Sequence, residues 1–331
     1  MKKRVLLLFV ALAVLVFVFF PSEKKTLRLS GDIFGTTYSI IYFDDEEQDL
    51  QKQVDSVFAE VNRSMSTYLP NSIISKFNRN EEVIFDDHFI AVYLKAKEIH
   101  RLTNGAFDPT IGIVVNAWDF GPEGNLKELD SMKIDSLMQY VGFDKIVGPI
   151  PNLTKKDRQI YLDFNAIAKG YGVDAVGEML EFKNIDNYLV EIGGEIRVKG
   201  QNIENDKPWM VGLEEPRFDG TQAVLKAIAL ENEAMATSGT YRKFKIDDNG
   251  NRYSHIIDTN TGYPSKTNIL SVSVIAEDCM TADAYATAFK TMGIDNVKSF
   301  LKAHPELKVF IIFENDSKSL ETLAFNGFPE N

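Results

Sequence analysis

Residues 269–276 form a strand-like run, and a helix-forming run rich in alanine begins directly afterwards at Met280. The small side chains leave room for another group to lie close to this helix. Asp283 and Thr287 are four residues apart, so on a helix they share one face, with Cβ atoms roughly 5–6 Å apart. A carboxylate beside a hydroxyl offers hard oxygen ligands that suit Mg²⁺. Taken alone, however, such a pair more often belongs to a solvated helix surface or a helix N-cap.

The rest of the chain mixes helices and strands without a regular βαβ repeat. Apolar residues recur at the helical period over residues 49–65, which predicts an amphipathic helix with one buried face. A second helix is expected over residues 89–103, ending at Asn104-Gly105. The remaining predicted elements are strands at 27–33, 37–43 and 160–164, a helix at 166–180, strands at 188–192, 195–198, 210–214, 227–230 and 269–276, helices to 292 and at 296–304, and a strand at 308–313. This order predicts an α+β fold in which helices pack on a mixed sheet, as a single compact catalytic domain over residues 26–331.

The N-terminus, residues 1–25, has the character of a targeting segment and linker. Three basic residues precede sixteen apolar ones, residues 5–20. Sixteen helical residues span roughly 24 Å, short of the ~30 Å hydrocarbon core, which fits a signal-peptide core or a short uncleaved anchor. Because residues 17–20 are bulky where a cleavage site needs small residues, the anchor is favoured. The basic flank then predicts an inner-membrane protein with its catalytic domain on the periplasmic, extracytoplasmic side.

Charge and residue usage exclude several classes of function. The net charge of −12 argues against a general nucleic-acid binder, because binding phosphate backbones needs a basic surface. A bound phosphate ligand would need a metal ion or a few placed Lys or Arg side chains. The one cysteine, Cys279, excludes disulfide frameworks, zinc ribbons and iron–sulfur clusters within the chain, and four histidines make an all-histidine metal site improbable. A metal here is expected to bind oxygen ligands.

Small and polar residues cluster where the predicted elements end. The common nucleotide cradles, GxxxxGK[ST] and GxGxxG after a strand, are absent. Each cluster has a simpler interpretation, since Asp108-Pro109 can start a turn, Gly193-Gly194 can mark a bulge, and Lys169 or His255 can be ordinary solvated or strand residues. Their shared location favours a site built on a rigid scaffold. The clusters lie at residues 66–70, 105–110, 163–171, 192–195, 236–241 and 254–262.

Taken together in this order, the clusters resemble the ApbE family, the FAD:protein FMN transferases. The resemblance extends from Gly35 to about Gly293 and implies an ApbE-like, T-fold-like domain. It implies Mg²⁺ bound by the Ala166 carbonyl, Asp283 and Thr287. The positions that it implies for flavin contacts are Phe34, Tyr68, Ala106, Phe107, Asp108, Asp163, Lys169 and, in the strand at 255–258, Ile257.

The activity implied by the resemblance is transfer of FMN from FAD to a Ser or Thr hydroxyl of a target protein, with release of AMP. Attack on a pyrophosphate needs its charge neutralised and its oxygens held, and Mg²⁺ can supply both. Lys169 is expected to act as a second cation, and His255 as the base that accepts the hydroxyl proton. The sequence departs from the family pattern at Thr259, where Pro is usual, at Glu191, where an amide or Asp is common, and at Phe34, where Met is frequent.

Two alternatives remain open at this point. An FAD pyrophosphatase would use the same site with water as the nucleophile, giving FMN and AMP. A flavin-binding carrier would hold FAD without reaction, and it would not need the pair Asp283 and Thr287. For the transferase, the expected partners are FAD, the membrane and an acceptor protein that is a subunit of an extracytoplasmic electron-transfer complex.

Overall fold

The computed structural model describes residues 25–124, 129–241, 244–246 and 252–329. The predicted N-terminal anchor lies outside these residues. None of the helices in the described ranges combines the length and apolar composition needed to cross a membrane.

An eight-stranded sheet organises the fold, with the order β1-β2-β5-β6-β9-β12-β13-β14. Every neighbouring pair in it is antiparallel. The α+β class is therefore confirmed, whereas the sheet is antiparallel and not mixed, because its strands are joined by hairpins and returning helices. The strands are β1 (Lys25–Ile33), β2 (Thr36–Asp44), β3 (Ile146–Val147), β4 (Thr154–Lys155), β5 (Tyr188–Ile192), β6 (Glu195–Lys199), β7 (Trp209–Glu214), β8 (Val224–Leu230), β9 (Ala234–Gly239), β10 (Phe244–Ile246), β11 (Arg252–Ser254), β12 (Ile269–Ala276), β13 (Lys308–Glu314) and β14 (Leu320–Phe325).

The helices follow from local sequence. In the first, Val54, Phe58, Val61 and Met65 are buried at the predicted helical spacing. The third begins at an N-cap, Asp86, whose side chain accepts from the Phe89 N–H. The helices are α1 (Gln51–Met65), α2 (Ile73–Asn78), α3 (Asp87–Leu102), α4 (Gly112–Ala117), α5 (Ser131–Met138), α6 (Ala168–Phe182), α7 (Cys279–Met292) and α8 (Ile294–Leu301).

Several segments differ from the sequence prediction. The helices α2, α4 and α5 and the strands β3, β4, β10, β11 and β14 were not predicted. Residues 255–258 form no strand and make only a single bridge, between Ile257 and Pro264. Residues 160–164 form no regular strand, because this buried run makes a single bridge between Tyr161 and Ile111 and then turns into α6. The central strand β9 was not predicted. Its residues are small and polar and have weak strand preference, but small side chains let α7 pack directly against it.

Both faces of the central sheet are covered. Along β12, Val272 and Val274 pack with the helices, while Ile275 packs in a different cluster with Trp209 and Leu230 of the β7–β8 hairpin. This alternation is the period-two pattern of a sheet buried on both sides. The helices α6 and α7 are thereby pressed against one face, and the candidate site lies where these two helices meet.

Lys290 of α7 is buried in this helical layer, with 1% of its surface exposed. Its Nζ donates to the Thr267 hydroxyl at 3.1 Å, and that hydroxyl donates to the Lys290 carbonyl at 2.7 Å. No carboxylate pairs with it among the described residues. Burial lowers the pKa of this amine to about 8, so the charged form is disfavoured in the folded state.

We predict that Lys290→Met stabilises the protein at pH 7. The folded-state pKa lies below the unfolded value of 10.5, so the penalty is complete below about pH 8 and is relieved as the pH rises towards 10.5. Removing the amine should raise the unfolding free energy at pH 7 by about 1–3 kcal/mol, with little gain at pH 10.5. Urea denaturation at both pH values measures this.

The matched control is Lys298→Met, which removes an exposed lysine on the neighbouring helix α8. It should leave the unfolding free energy within ~0.5 kcal/mol at either pH. A Lys290→Met protein that is less stable at pH 7 than the parent would contradict the prediction.

Candidate active site

The two helices that carry the predicted metal ligands touch at Gly170. A Cβ built at this position would lie 2.4 Å from the Cys279 carbonyl oxygen and 2.9 Å from the Asp283 Cβ. The Gly170 N–H donates to Asp283 Oδ2 at 3.0 Å, so a backbone group of α6 binds a side chain of α7. One carboxylate oxygen of Asp283 is thus engaged by the protein.

Asp283 is a buried carboxylate beside a second one. Burial, and then the charge of Glu195, raise the pKa of Asp283 to about 7, while Lys169 and the Gly170 N–H oppose the rise. Lys169 Nζ donates to Glu195 Oε2 at 2.6 Å. Burial alone would lower the pKa of Lys169, but the charges of Glu195 and Asp283 outweigh it, and the pKa is raised. The three side chains form a net negative cluster, an environment that favours a bound cation.

Thr287 lies one turn beyond Asp283 on α7. Its hydroxyl is 3.1 Å from the Ser238 hydroxyl of β9, so two hydroxyls stand together beside the carboxylate. Ala166 lies in the turn that leads into α6, four residues before Gly170. Because the Gly170 N–H donates to Asp283, it does not close the usual helical bond to the Ala166 carbonyl.

These groups fit a hard divalent cation with an incomplete protein shell. In the described residues, no group of three or more His, Cys, Asp or Glu side chains is arranged to hold a metal ion. The set found here is different, with one carboxylate, one hydroxyl and one carbonyl. Mg²⁺ is commonly bound in this way, since it keeps several waters and takes further oxygens from substrate phosphates.

The loop at residues 105–109 joins three predicted motifs. Thr259 donates from its hydroxyl to the Gly105 carbonyl at 2.6 Å. The Thr291 hydroxyl of α7 is 3.4 Å from the Ala106 carbonyl, and the Asp163 N–H donates to the Pro109 carbonyl at 2.8 Å. Thr259 is one of the departures from the family pattern, and a proline at that position could not donate this bond.

Phe34, Tyr68 and Asp163 are placed by different elements. Phe34, in the turn between β1 and β2 with φ 51°, lies against Gly172 of α6, where a Cβ would be 2.7 Å from the phenyl ring. Tyr68 is 55% exposed, and partial burial followed by the charge of Asp163 raises the pKa of its phenol. Asp163 is therefore near enough to Tyr68 for its charge to act on the phenol.

Asp108 and Phe107 lie in the same loop but are turned into the protein. The Asp108 carboxylate accepts from the Thr110 N–H and hydroxyl at 2.8 and 2.6 Å, and from the Phe143 N–H at 3.2 Å. Burial, the larger effect, raises its pKa in spite of these bonds. The Phe107 side chain is buried in the core. Both side chains hold the loop in place, so a flavin contact from this segment would come from the backbone or from Ala106.

His255 and Ile257 follow β11. The imidazole packs edge-on against Phe120, with ring centroids 6.2 Å apart, and is half-buried. The Ile257 side chain is buried, and its backbone pairs with Pro264, closing the turn between them. The imidazole is thus on an accessible surface that Phe120 supports.

Three residues in or beside this site were not among the predicted site residues. Glu195 pairs with Lys169, Ser238 contacts Thr287, and the buried Thr67 hydroxyl, next to Tyr68, has no hydrogen-bond partner in the described part of the chain. All three belong to the clusters singled out from the sequence. Glu195 shares its strand face with Arg197 and Lys199, so the alternation of β6 gave no signal that this carboxylate is buried beside Lys169.

Fold and site together describe an α+β protein in which a buried carboxylate, Asp283, lies where two helices cross closely. The model of the ApbE family matches residues 34–311. FAD:protein FMN transferases of Haemophilus influenzae and Vibrio cholerae are 39% and 36% identical, over 89% and 93% of this chain and 88% and 93% of those proteins. The solved flavin transferase ApbE from Vibrio cholerae has a TM-score of 0.83 and 35% identity, covering 92% of this chain and 98% of its own.

The chain belongs to the ApbE family. A further solved structure, the flavinyl transferase ApbE of Pseudomonas stutzeri in its apo form, has a TM-score of 0.80 at 26% identity, covering 91% of this chain and 95% of that one. These matches confirm the family and the enzyme class, a transferase, expected from the sequence.

We predict that Gly170→Ala destabilises the protein. The new methyl group would meet a backbone carbonyl, which cannot rotate away, so α6 and α7 must separate. The expected loss is about 1–3 kcal/mol of unfolding free energy, measured by urea denaturation.

Gly212→Ala on β7 is the control. Its methyl group would lie 3.4 and 3.5 Å from the two methyl groups of Val224, which are ordinary van der Waals distances, and the residue does not have a positive φ. Because glycine weakens a strand interior, this variant should stay within about 0.5 kcal/mol of the parent. Equal losses in the two variants would contradict the special role of Gly170.

Proposed function

We propose that this protein transfers FMN from FAD to a Ser or Thr hydroxyl of an acceptor protein, in a Mg²⁺-dependent reaction that releases AMP. The acceptor oxygen forms a bond to the FMN phosphorus, and the bond from that phosphorus to the bridging oxygen breaks, so AMP leaves with the bridging oxygen. The observation that carries the proposal is the buried Asp283, held by the Gly170 N–H and next to Thr287, in a chain whose relatives are named FAD:protein FMN transferases.

Asp283, Thr287 and the Ala166 carbonyl are the residues proposed to hold Mg²⁺. When bound, the ion would neutralise pyrophosphate charge and orient its oxygens. The raised pKa of Asp283 fits this role, because a cation beside a buried carboxylate favours its ionised form. Such a site should bind metal more tightly as the pH rises through 7.

Lys169 is proposed as the second cation facing the pyrophosphate. It is held against Glu195, so its ammonium group is fixed before the substrate arrives. In a chain of net charge −12, a fixed cation beside the metal site offsets the repulsion of an anionic substrate. Pre-organised charge of this kind is the main contribution that a protein makes to phosphoryl transfer.

The flavin is proposed to lie among Phe34, Tyr68, Ala106 and Asp163, with residues 107–108 and Ile257 shaping the surrounding backbone. Phe34 and Tyr68 are aromatic residues from two different segments of the chain. The ring of Tyr68 is 55% exposed, so the isoalloxazine ring could stack on it. Asp163 lies close enough to influence the Tyr68 phenol.

His255 is proposed as the general base for the acceptor hydroxyl. A neutral imidazole can accept that proton at physiological pH. The side chain is half-buried and packs against Phe120, which restricts the orientation of the ring.

The acceptor is proposed to be an extracytoplasmic electron-transfer subunit, which is the class of acceptor that the family resemblance implies. The N-terminal sequence supports the compartment, because basic residues precede an apolar run and residues 26–331 would be carried outside the cytoplasm. Under this proposal, residues 1–25 serve as anchor and linker and the catalytic domain acts at the periplasmic face of the inner membrane.

The decisive experiment incubates the purified protein with FAD and Mg²⁺, with and without an acceptor protein that carries a flavinylation site. We expect a mass increase of one FMN on the acceptor and one AMP released per FMN transferred. Free FMN and AMP in both reactions, with an unmodified acceptor, would instead identify an FAD pyrophosphatase, and unchanged FAD would identify a carrier.

Asp283→Asn is the control for the metal site. Asn keeps an oxygen that can accept from the Gly170 N–H but loses the charge, so the fold should persist while transfer falls at least a hundredfold. Unchanged transfer in this variant would remove Asp283 from the reaction.

We predict that His255→Ala lowers the rate of FMN transfer by about 10²–10⁴ while FAD binding stays within a few-fold. In this variant, added imidazole or a higher pH should restore part of the rate, because either one supplies an external base. His304→Gln is the matched control, since this histidine pairs with Glu306 in the turn after α8 and its loss should leave the rate unchanged. A His255→Ala rate within a few-fold of the parent would exclude a general-base role.

A further inference from the structure

The N-terminus of α7 is held by a carboxylate from another helix. Asp174 of α6 accepts from the Cys279 N–H at 3.0 Å and from the Met280 N–H at 2.8 Å, one bond to each oxygen. These are the first two N–H groups of α7, which have no partner inside their own helix. Asp174 therefore fixes both the position and the direction of this helix end, while the local N-cap, Asp278, accepts from the Thr281 N–H.

The bond from Gly170 to Asp283 is the counterpart of this contact. At one end of the crossing, α7 supplies a carboxylate to the N-terminal backbone of α6. At the other end, α6 supplies Asp174 to the N-terminal backbone of α7. Each helix thus caps the other, and because residue 170 faces 283 while 174 faces 279, the helices run antiparallel. A sliding motion of one helix along the other would break both contacts at once.

The Asp174 carboxylate is itself held in place. It is 4% exposed, and Arg197 of β6 donates to Asp174 Oδ1 at 3.0 Å and to Glu181 Oε1 at 2.9 Å. The helix end is therefore tied through Asp174 to the central sheet. Asp283 and Thr287 lie one and two turns further along α7, so their position depends on where this end is fixed.

We propose that Asp174 is a positioning residue for the metal site, which sets the axial position of α7 and with it the placement of Asp283 and Thr287. This inference rests on the proposed function, because it assumes that these two residues bind the metal. Asp174 does not touch substrate or metal. Its effect is on the geometry of the ligands, so it should change metal affinity and metal preference more than FAD binding.

Asp174→Asn tests the proposal and Glu181→Gln is its matched control. Asn offers one acceptor oxygen and one NH₂ group, so one of the two α7 N–H groups loses its acceptor and faces a donor. Glu181 belongs to the same charge network, through Arg197, Lys199 and the Tyr188 hydroxyl, but does not contact α7. Both variants disturb the network, and only Asp174→Asn disturbs the helix end.

The experiment titrates the full chain with Mn²⁺, as a paramagnetic substitute for Mg²⁺, in the presence of FAD, and follows bound ion by electron paramagnetic resonance. The expected result is at least a tenfold weaker Mn²⁺ affinity in Asp174→Asn, with an altered spectrum of the bound ion, and an affinity within twofold of the parent in Glu181→Gln. Asp283→Asn is included and should lose the bound ion.

The outcomes separate the two proposals. If Asp283→Asn loses the ion and Asp174→Asn binds it as the parent does, the positioning role is overturned and the metal site stands. If Asp283→Asn binds the ion normally, both fall. If Asp174→Asn does not fold, Asp174→Glu decides, because it keeps the charge and moves the carboxylate by one methylene. A tenfold weaker affinity in Asp174→Glu supports the positioning role, and parental affinity overturns it.

Discussion

The candidate site depends on how closely α6 and α7 approach each other at Gly170. A backbone without a side chain at this point brings an N–H group within hydrogen-bond distance of Asp283. That contact fixes one oxygen of a carboxylate that is buried between the helices. Because Lys169 directly precedes Gly170, the same crossing places it next to Asp283 and Glu195.

The sheet explains why such a close crossing is stable. Strand β9 lies in the centre and carries small residues, so α7 can rest directly on it, with Ser238 against Thr287 and the Met235 carbonyl near the Cys279 thiol. On its other face the sheet is closed by the β7–β8 hairpin through Trp209 and Leu230. The helix pair therefore packs on a sheet whose opposite face is also closely packed, which restricts bending of the sheet away from the helices.

Much of this arrangement could be predicted from the sequence, and the limits have physical causes. The strand at 269–276 was predicted with the bounds found, and the helix after it nearly so, because apolar pattern and capping residues agree there. The burial of Asp108 could not be predicted, since its second oxygen accepts from the Phe143 N–H, which is 35 residues away in sequence. The role of Asp174 could not be predicted for the same reason. In the sequence it is an ordinary acidic residue of a helix, and its contact with the N-terminus of α7 appears only in the folded chain.

The bonds that assemble the site join parts of the chain that are synthesised far apart. Gly105 and Thr259 are separated by 154 residues, Ala106 and Thr291 by 185, and Gly170 and Asp283 by 113. Closing such long loops is slow, so these contacts should form late in folding. During synthesis, the ribosome must release most of α7 before any ligand can be held. A chain cut short before residue 283 would lack β13, β14 and most of α7, so the crossing at Gly170 could not form.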